Sequence, residues 1–238
     1  MSSEERGWLF PNQGDAIPTQ LQKGIRGLNI DLHTNDAGEL VFCHSYCELG
    51  EQDMVDGFTE ITDFLIAHPH EVLVLTFQSE VSAIEAATAM DEAGLGALSY
   101  VHTTGEPWPT LGALIDAQTP VLSFTNSSDG APDWLMDQWT HWIDTPYGQN
   151  SVKAVEDYAT SCVEERGNTD TATLFNINHF MTAPLANPDH AAEINTLEHL
   201  QSRVEACRDL TGRTPNQILV DFANLGDVVE FASDLNQE

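Results

Sequence analysis

Short apolar runs rich in β-branched residues alternate along this chain with stretches of helical periodicity. This alternation limits the possible folds more than any other feature. The run VLVLTF at residues 72–77 is almost continuously apolar, which is typical of a strand buried on both faces of a parallel sheet. Residues 55–67 carry apolar side chains at helical spacing, and Pro69 follows them. Strand followed by helix, repeated in this way, predicts a parallel α/β fold.

The pattern predicts seven strands, at residues 27–32, 39–43, 72–77, 100–102, 120–125, 173–178 and 218–222. It predicts helices at residues 17–23, 55–67, 82–93, 109–117, 151–165, 190–210 and 225–235. A closed barrel of alternating strands and helices needs eight strands. Because the first helix precedes any strand, we expect the missing strand upstream of Met1. Residues 1–238 would then form a single domain that is incomplete at its N-terminus.

The chain is strongly acidic. Its 238 residues include 8 Lys+Arg and 38 Asp+Glu, for a net charge of −30. Such a surface repels phosphate backbones and anionic lipid surfaces, so we expect no nucleic-acid partner. An anionic substrate must then be met by a focused local site or by a metal ion. A membrane span needs about 18 consecutive apolar residues, and the sequence contains no such run.

Polar residues lie at the ends of several predicted strands, where parallel α/β folds place their chemistry. Asn29, Asp31 and His33 alternate, so their side chains share one face of a strand. The other polar residues at or near strand ends are His44, Gln78, Glu80, Asn176, Asn178, His179 and Asp221. We expect these side chains to converge on one cavity. A histidine beside carboxylates such as Asp31 suits acid–base catalysis, because imidazole titrates near neutral pH.

Four cysteines are present, at positions 43, 47, 162 and 207, without the spacing of a zinc site. An even, sparse set is compatible with two disulfides and an oxidising compartment, and four reduced cysteines remain the alternative. The N-terminal stretch MSSEERGWLFPNQ contains no signal peptide. Either the protein is cytoplasmic or its true start lies further upstream.

Several motifs, in order along nearly the whole chain, resemble one family. They are NQGDAIPTQLQKGIRGLNIDLHT, VFCHSYC, HPHEVLVLTF, WPTLGALIDAQTPVLSFTN, PYGQN, NINHF and RTPNQILVDFANLGD. Together they resemble the X-domain-like phosphodiesterases related to phosphatidylinositol-specific phospholipase C, and in particular their secreted bacterial and plant branch. The resemblance implies a distorted TIM-like barrel. It also implies cleavage of a phosphodiester by attack of a neighbouring substrate hydroxyl, which gives a cyclic phosphate.

The resemblance implies a role for several residues. His44 matches the general acid, and Asp31 matches the acidic residue of the second barrel strand. His33 falls where metal-independent relatives carry an arginine that stabilises the phosphate. Asp221 matches an acidic residue that orients the general base. That base lies in a T-H-N-S-like motif whose position falls before Met1, so we expect the chain as given to be catalytically impaired.

Further residues are predicted to bind ligands. Asn29 and Asp31 fall where calcium-dependent relatives place two carboxylate ligands, and Gln78 falls near a third. Neutral amides at two of these positions weaken a calcium site. Asn178 and His179 are the predicted substrate-binding residues.

The predicted ligand is a phosphodiester or a phosphoinositide-like headgroup, bound by a monomer. We expect an extracellular or periplasmic protein whose disulfides join Cys43 to Cys47 and Cys162 to Cys207, although three pairings are possible.

Two alternatives remain open. One is a glycerophosphodiester phosphodiesterase, because NIDLHTNDAGELVFCH resembles a segment of that class, although Asn29 and Ser45 depart from its pattern. The other is a secreted binding module that keeps the barrel without catalysis.

Overall fold

The computed structural model describes residues 2–44, 46–182 and 185–237. The chain divides into two compact units. Unit 1 holds Ser2, Gly7–Leu9 and Ile17–Gln138. Unit 2 holds Ser3–Arg6, Phe10–Ala16 and the described residues from Trp139 onward. The assignment of residues 1–238 to a single domain stays a prediction.

Unit 1 is built on a six-stranded sheet with the order β3-β2-β1-β4-β5-β6. Its strands are β1 (Gly27–Thr34), β2 (Leu40–Cys43), β3 (Glu51–Asp53), β4 (Leu73–Ser79), β5 (Val121–Thr125) and β6 (Leu135–Asp137). Strands β1, β4, β5 and β6 are parallel neighbours, whereas β2 and β3 run antiparallel at one edge. Its helices are α1 (Ile17–Gln22), α2 (Met54–Ala67), α3 (Ala83–Glu92) and α4 (Leu111–Asp116), with 3-10 turns at Cys47–Leu49 and Gly96–Leu98.

Unit 2 contains a three-stranded parallel sheet with the order β7-β8-β9. Its strands are β7 (Trp142–Asp144), β8 (Leu174–His179) and β9 (Gln217–Val220). The helix α5 (Gln138–His141) precedes β7. The other helices are α6 (Val152–Glu156), α7 (Tyr158–Ser161), α8 (Pro188–Ile194), α9 (Leu197–Thr211) and α10 (Val228–Leu235).

The alternation along β1 determines which of its side chains are available for a site. Leu28, Ile30 and Leu32 are fully buried in the hydrophobic core of unit 1. Because successive side chains of a strand point to opposite faces, the polar residues between them lie on the other face. On β2, Phe42 packs edge-on against Phe58 of α2, so the strand that carries His44 at its end is fixed by the same core.

The predicted elements are confirmed in the main, with corrections where they are short or interrupted. The three-residue strands β3, β6 and β7 were missed, so the structure has nine strands in its described part where seven were predicted. Residues 100–102 form no strand, although Tyr100 donates a backbone hydrogen bond to Val121. The helix predicted at residues 151–165 is two short helices, and the one at 190–210 breaks at Asn195.

Both favoured disulfides are confirmed. Cys43 is bonded to Cys47, and Cys162 to Cys207. The second bond lies in the core of unit 2, where both cysteines are fully buried. In the described ranges, no helix is long and apolar enough to cross a membrane.

Candidate functional site

The polar face of β1 continues onto β4. In their parallel register, Asn29 lies opposite Thr76, and Asp31 lies opposite Gln78. The Thr76 hydroxyl donates to Asn29 Oδ1 at 3.1 Å. Asp31 is buried, whereas the Gln78 side chain is exposed. The predicted face is therefore confirmed for these two neighbouring strands, which place a buried carboxylate beside an exposed amide.

Two histidines lie near Asp31. His33, two residues further along β1, has its Nδ1 atom 3.1 Å from Glu80 Oε2, just beyond the end of β4. His44 follows directly after β2, the antiparallel neighbour of β1, and its side chain is exposed. Unit 1 thus places two imidazoles and two carboxylates on β1 and its two neighbouring strands. Because β2 is antiparallel to β1, with Phe42 opposite Leu32, His44 lies level with the middle of β1, whereas His33 and Glu80 lie toward the carboxyl ends of β1 and β4.

The environment of His44 shifts its protonation. Partial burial lowers the pKa of the His44 imidazole from its ordinary value, even though its side chain reaches solvent. The Asp31 carboxylate acts in the opposite direction and raises that pKa, while a positive charge on His33 lowers it. Asp31 is therefore close enough to stabilise a protonated His44, as a general acid requires.

The three predicted calcium ligands do not fit a tight calcium site. Of Asn29, Asp31 and Gln78, only Asp31 supplies a carboxylate, and calcium affinity increases with ligand charge. The Asn29 amide oxygen already accepts the Thr76 hydroxyl. Among the described residues, no group of three or more His, Cys, Asp or Glu side chains is arranged to hold a metal ion. Calcium binding stays a prediction.

In unit 2, the strand ends carry a buried polar network. Asp144, at the end of β7, is 4% exposed and accepts a hydrogen bond from the Asn178 amide at 3.0 Å. The Asn178 amide oxygen accepts from Asn176 at 2.8 Å, and the backbone N–H of Asn178 donates to the Thr145 hydroxyl. Asn178 lies where the sequence predicts it, but its side chain is saturated by protein partners. Its role in substrate binding stays a prediction.

Arg166 completes this network and was missed by the sequence analysis. Its Nε atom donates to both carboxylate oxygens of Asp144, at 3.2 and 3.0 Å, and Nη2 forms an ion pair with the same group. The guanidinium lies 4.6 Å from the Trp139 ring centroid and 4.4 Å from that of Tyr147. In the sequence, the apolar pair before Asp144 could have indicated β7 and its carboxylate. A three-residue strand, however, is too short to be recognised by its periodicity.

His179 lies on the opposite face of β8 from Asn178. Its Nε2 atom is 2.9 Å from the Ile194 carbonyl, and the side chain is 1% exposed. Burial lowers the pKa of His179 to about 4, so the imidazole is neutral at physiological pH. The structure therefore does not bring His179 to the polar face that Asn178 shares, and its predicted contact with substrate stays untested.

Asp221 follows β9 and lines a small pocket in unit 2, together with His179 and Asn195. Burial raises the pKa of Asp221 to about 7. The next residue, Phe222, has a φ of 45°, a conformation that is costly for a side chain of this size. A perturbed carboxyl beside a strained backbone is typical of functional positions, and Asp221 remains a candidate for the role that the sequence predicts.

Comparisons with known proteins all find the same family. The model of the family PI-PLC_X (PI-PLC X 1) matches residues 7–236. A PI-PLC X domain-containing protein of the fungus Arthroderma benhamiae is 25% identical, over 96% of this chain and 79% of its own length. A PI-PLC X domain-containing protein of Arabidopsis thaliana is 26% identical, over 95% of this chain. The chain spans only 56% of the plant relative's length.

Solved structures show the fold. A phosphatidylinositol-specific phospholipase C from Staphylococcus aureus aligns with a TM-score of 0.62 at 14% identity, covering 94% of this chain and 84% of its own. The enzyme of the same name from Listeria monocytogenes aligns with a TM-score of 0.59, also at 14% identity, covering 95% and 83%. The predicted α/β fold class of the phospholipase C type is therefore confirmed.

Proposed function

The chain belongs to the PI-PLC X family, and from this premise we propose that it is a phosphoric diester hydrolase of the phospholipase C type. It would cleave a phosphodiester by attack of a neighbouring substrate hydroxyl. The observation that carries the proposal is the placement of His44 at the end of β2, under the electrostatic influence of Asp31. A histidine held beside a carboxylate at a strand end is suited to donate a proton to a leaving alkoxide.

In this mechanism His44 acts as the general acid. Its pKa is lowered by burial, which makes the imidazolium a stronger acid for the leaving group. The negative charge of Asp31 keeps a fraction of His44 protonated, and it stabilises the imidazolium before the proton is transferred. We assign His33 to the phosphoryl oxygens. With Nδ1 held by Glu80, an imidazolium at His33 would present its Nε2–H group to an anion.

We assign Asp221 to the orientation of the general base, which is the role that the resemblance to this family implies for it. A carboxyl whose pKa is raised to about 7 changes its charge within the physiological range.

The proposed substrate is a phosphodiester or a phosphoinositide-like headgroup, and the proposed state is a monomer. We further propose that the protein is extracellular or periplasmic. Two disulfides support an oxidising compartment. A further relative from Arthroderma benhamiae, 22% identical over 93% of this chain, is named an uncharacterized secreted protein.

The test is product analysis by phosphorus NMR. The protein is expressed with any residues that its gene encodes before Met1, and it is incubated with phosphatidylinositol vesicles or with a soluble glycerophosphodiester. Each substrate is tested with added calcium and with a chelator. A cyclic phosphate product supports the proposal. Glycerol phosphate released from the soluble diester indicates the glycerophosphodiester phosphodiesterase alternative, and no turnover of either substrate indicates a binding module.

A further inference from the structure

The bond between Cys43 and Cys47 encloses the proposed general acid. It joins the last residue of β2 to the first residue of the 3-10 turn Cys47–Leu49, and it closes a ring in which His44 is the first residue after the strand. The other disulfide joins residues that are 45 positions apart. Only the short bond can therefore act on the local backbone of His44.

Both ends of this ring are anchored. Cys43 is fully buried and pairs with Glu51 in the antiparallel register of β2 and β3. On the other side, Gly50 donates a backbone hydrogen bond to Cys47 at 3.0 Å, and Leu9 donates one to Leu49 at 2.8 Å. Gly50 has a φ of 152°, and a Cβ atom there would lie 2.2 Å from Trp8. The turn beyond the ring is thus held in one conformation.

The imidazole itself has little else to fix its direction. Within the described part of the chain, the His44 side chain makes no hydrogen bond, and it is exposed. Its backbone carbonyl accepts the N–H of Tyr46 at 2.8 Å. The position of the imidazole relative to Asp31 therefore depends on the backbone that the disulfide constrains.

We propose that the Cys43–Cys47 disulfide positions His44 for catalysis, and that its reduction lowers the activity while the fold is retained. This inference rests on the proposed function. A dithiol or phosphine supplies two electrons and, with two protons, converts the bond into two thiols. The ring then opens, and the backbone that carries His44 beside Asp31 is no longer constrained. A misplacement of about 1 Å can cost about 10²-fold in rate.

The two disulfides also differ in their access to a reductant. Cys47 is partly exposed, whereas Cys162 and Cys207 are both fully buried. Because exposed disulfides are the more labile ones, mild reduction opens the ring around His44 first. The activity would then depend on an oxidising environment through one bond.

The experiment uses the protein expressed as for product analysis and compares it before and after mild reduction. Alkylation and mass spectrometry identify the bond that has opened. Opening of Cys43–Cys47 is expected to lower kcat by 10-fold or more, with KM and the far-ultraviolet circular dichroism unchanged. The double variant Cys43→Ala/Cys47→Ala should show the lower kcat without any reductant. The matched control, Cys162→Ala/Cys207→Ala, should melt at a lower temperature but keep its kcat and its sensitivity to mild reduction.

A second readout does not need activity. The NMR signals of the His44 imidazole, assigned with a His44→Gln variant, should move when the ring opens. Unmoved signals, or an unchanged kcat after complete opening, would overturn the proposal. If the oxidised protein turns over no phosphodiester and the His44 signals still move, the proposed function fails and the positioning role stands.

Discussion

The strand ends of the two units are built differently. In unit 1, β1 carries His33, whose partner Glu80 is 70% exposed, and the end of the antiparallel β2 carries His44, whose imidazole is exposed. In unit 2, Asp144 and Asn178 are buried and bonded to each other and to the protein around them. These histidines of unit 1 are accessible to a ligand, whereas Asp144 and Asn178 of unit 2 hold their strands together.

A polar residue at a strand end can therefore have one of two roles. A side chain with all its hydrogen bonds satisfied inside the protein contributes to stability, because removing its partner leaves a buried group unpaired. A side chain that reaches solvent beside a charged neighbour can exchange protons with a substrate. We therefore expect changes at His44 and His33 to affect activity, and changes at Asp144 and Asn178 to affect stability.

The largest effect is expected from His44→Ala. Loss of a general acid typically costs about 10²–10⁴-fold in rate, and an exposed side chain contributes little to stability. We expect kcat on phosphatidylinositol to fall within this range while the melting temperature is unchanged. The exposed His70 is the matched control, and His70→Ala should keep full activity. Full activity of His44→Ala would contradict the assignment of His44.

A large effect on stability is expected from the titration of Asp221. Its pKa rises from 3.8 to about 7 on folding, so the folded state holds the proton more tightly than the unfolded state does. This contribution is present below pH 3.8 and is lost as the pH rises through 7. It amounts to at most about 4 kcal/mol. We expect Asp221→Asn to raise the free energy of unfolding in urea at pH 8 and to change it little at pH 4. A deficit at pH 8 would contradict the account.

The buried network of unit 2 predicts that substitution of Asp144 also changes the free energy of unfolding. Asp144→Ala removes one of the two acceptors of the Asn178 amide and the carboxylate partner of Arg166. Since Arg166 is 41% exposed and can be partly rehydrated, we expect a loss of about 2–3 kcal/mol, below the upper range for buried pairs. Urea denaturation measures it, with Asp170→Ala, at an exposed position, as the control. A loss no greater than that of the control would show that the network does not stabilise the unit.

The smallest effect on stability is expected from Glu80→Gln. Its ion pair with His33 is largely solvent-exposed on the Glu80 side, and exposed pairs contribute about 0–1 kcal/mol. The free energy of unfolding should change by less than about 1 kcal/mol. If His33 binds the phosphoryl oxygens of the substrate, KM should rise even though the free energy of unfolding changes little. An unchanged KM would count against that role.

The sequence was most informative where a pattern extends over several residues. The alternation around Asp31 correctly placed Asn29 and His33 on the same face of β1, because period-two alternation defines the faces of a strand. The apolar run before Gln78 correctly predicted β4. Strands of three residues gave no such periodicity. At the break between α8 and α9, the Asn195 side chain donates to the carbonyl of Asp221, a residue distant in sequence that no local pattern indicates.

The candidate site was predicted less completely than the fold. Asn178 and His179 were both predicted to bind substrate, and the structure shows that they face opposite sides of β8, with His179 next to the Ile194 carbonyl. Arg166 was missed because its partner Asp144 lies 22 positions away. Contacts between side chains that are distant in sequence have no local pattern from which they could be inferred.

The most direct test of the account compares two leaving groups. His44 is proposed to protonate the departing alkoxide, so the cost of His44→Ala should depend on how much that group needs a proton. We predict a loss of about 10²–10⁴-fold on phosphatidylinositol, whose leaving alkoxide is strongly basic. We predict a much smaller loss on the matching inositol nitrophenyl phosphodiester, whose leaving group departs as a stable anion. An equal loss on both substrates would contradict the proposal that His44 is the general acid.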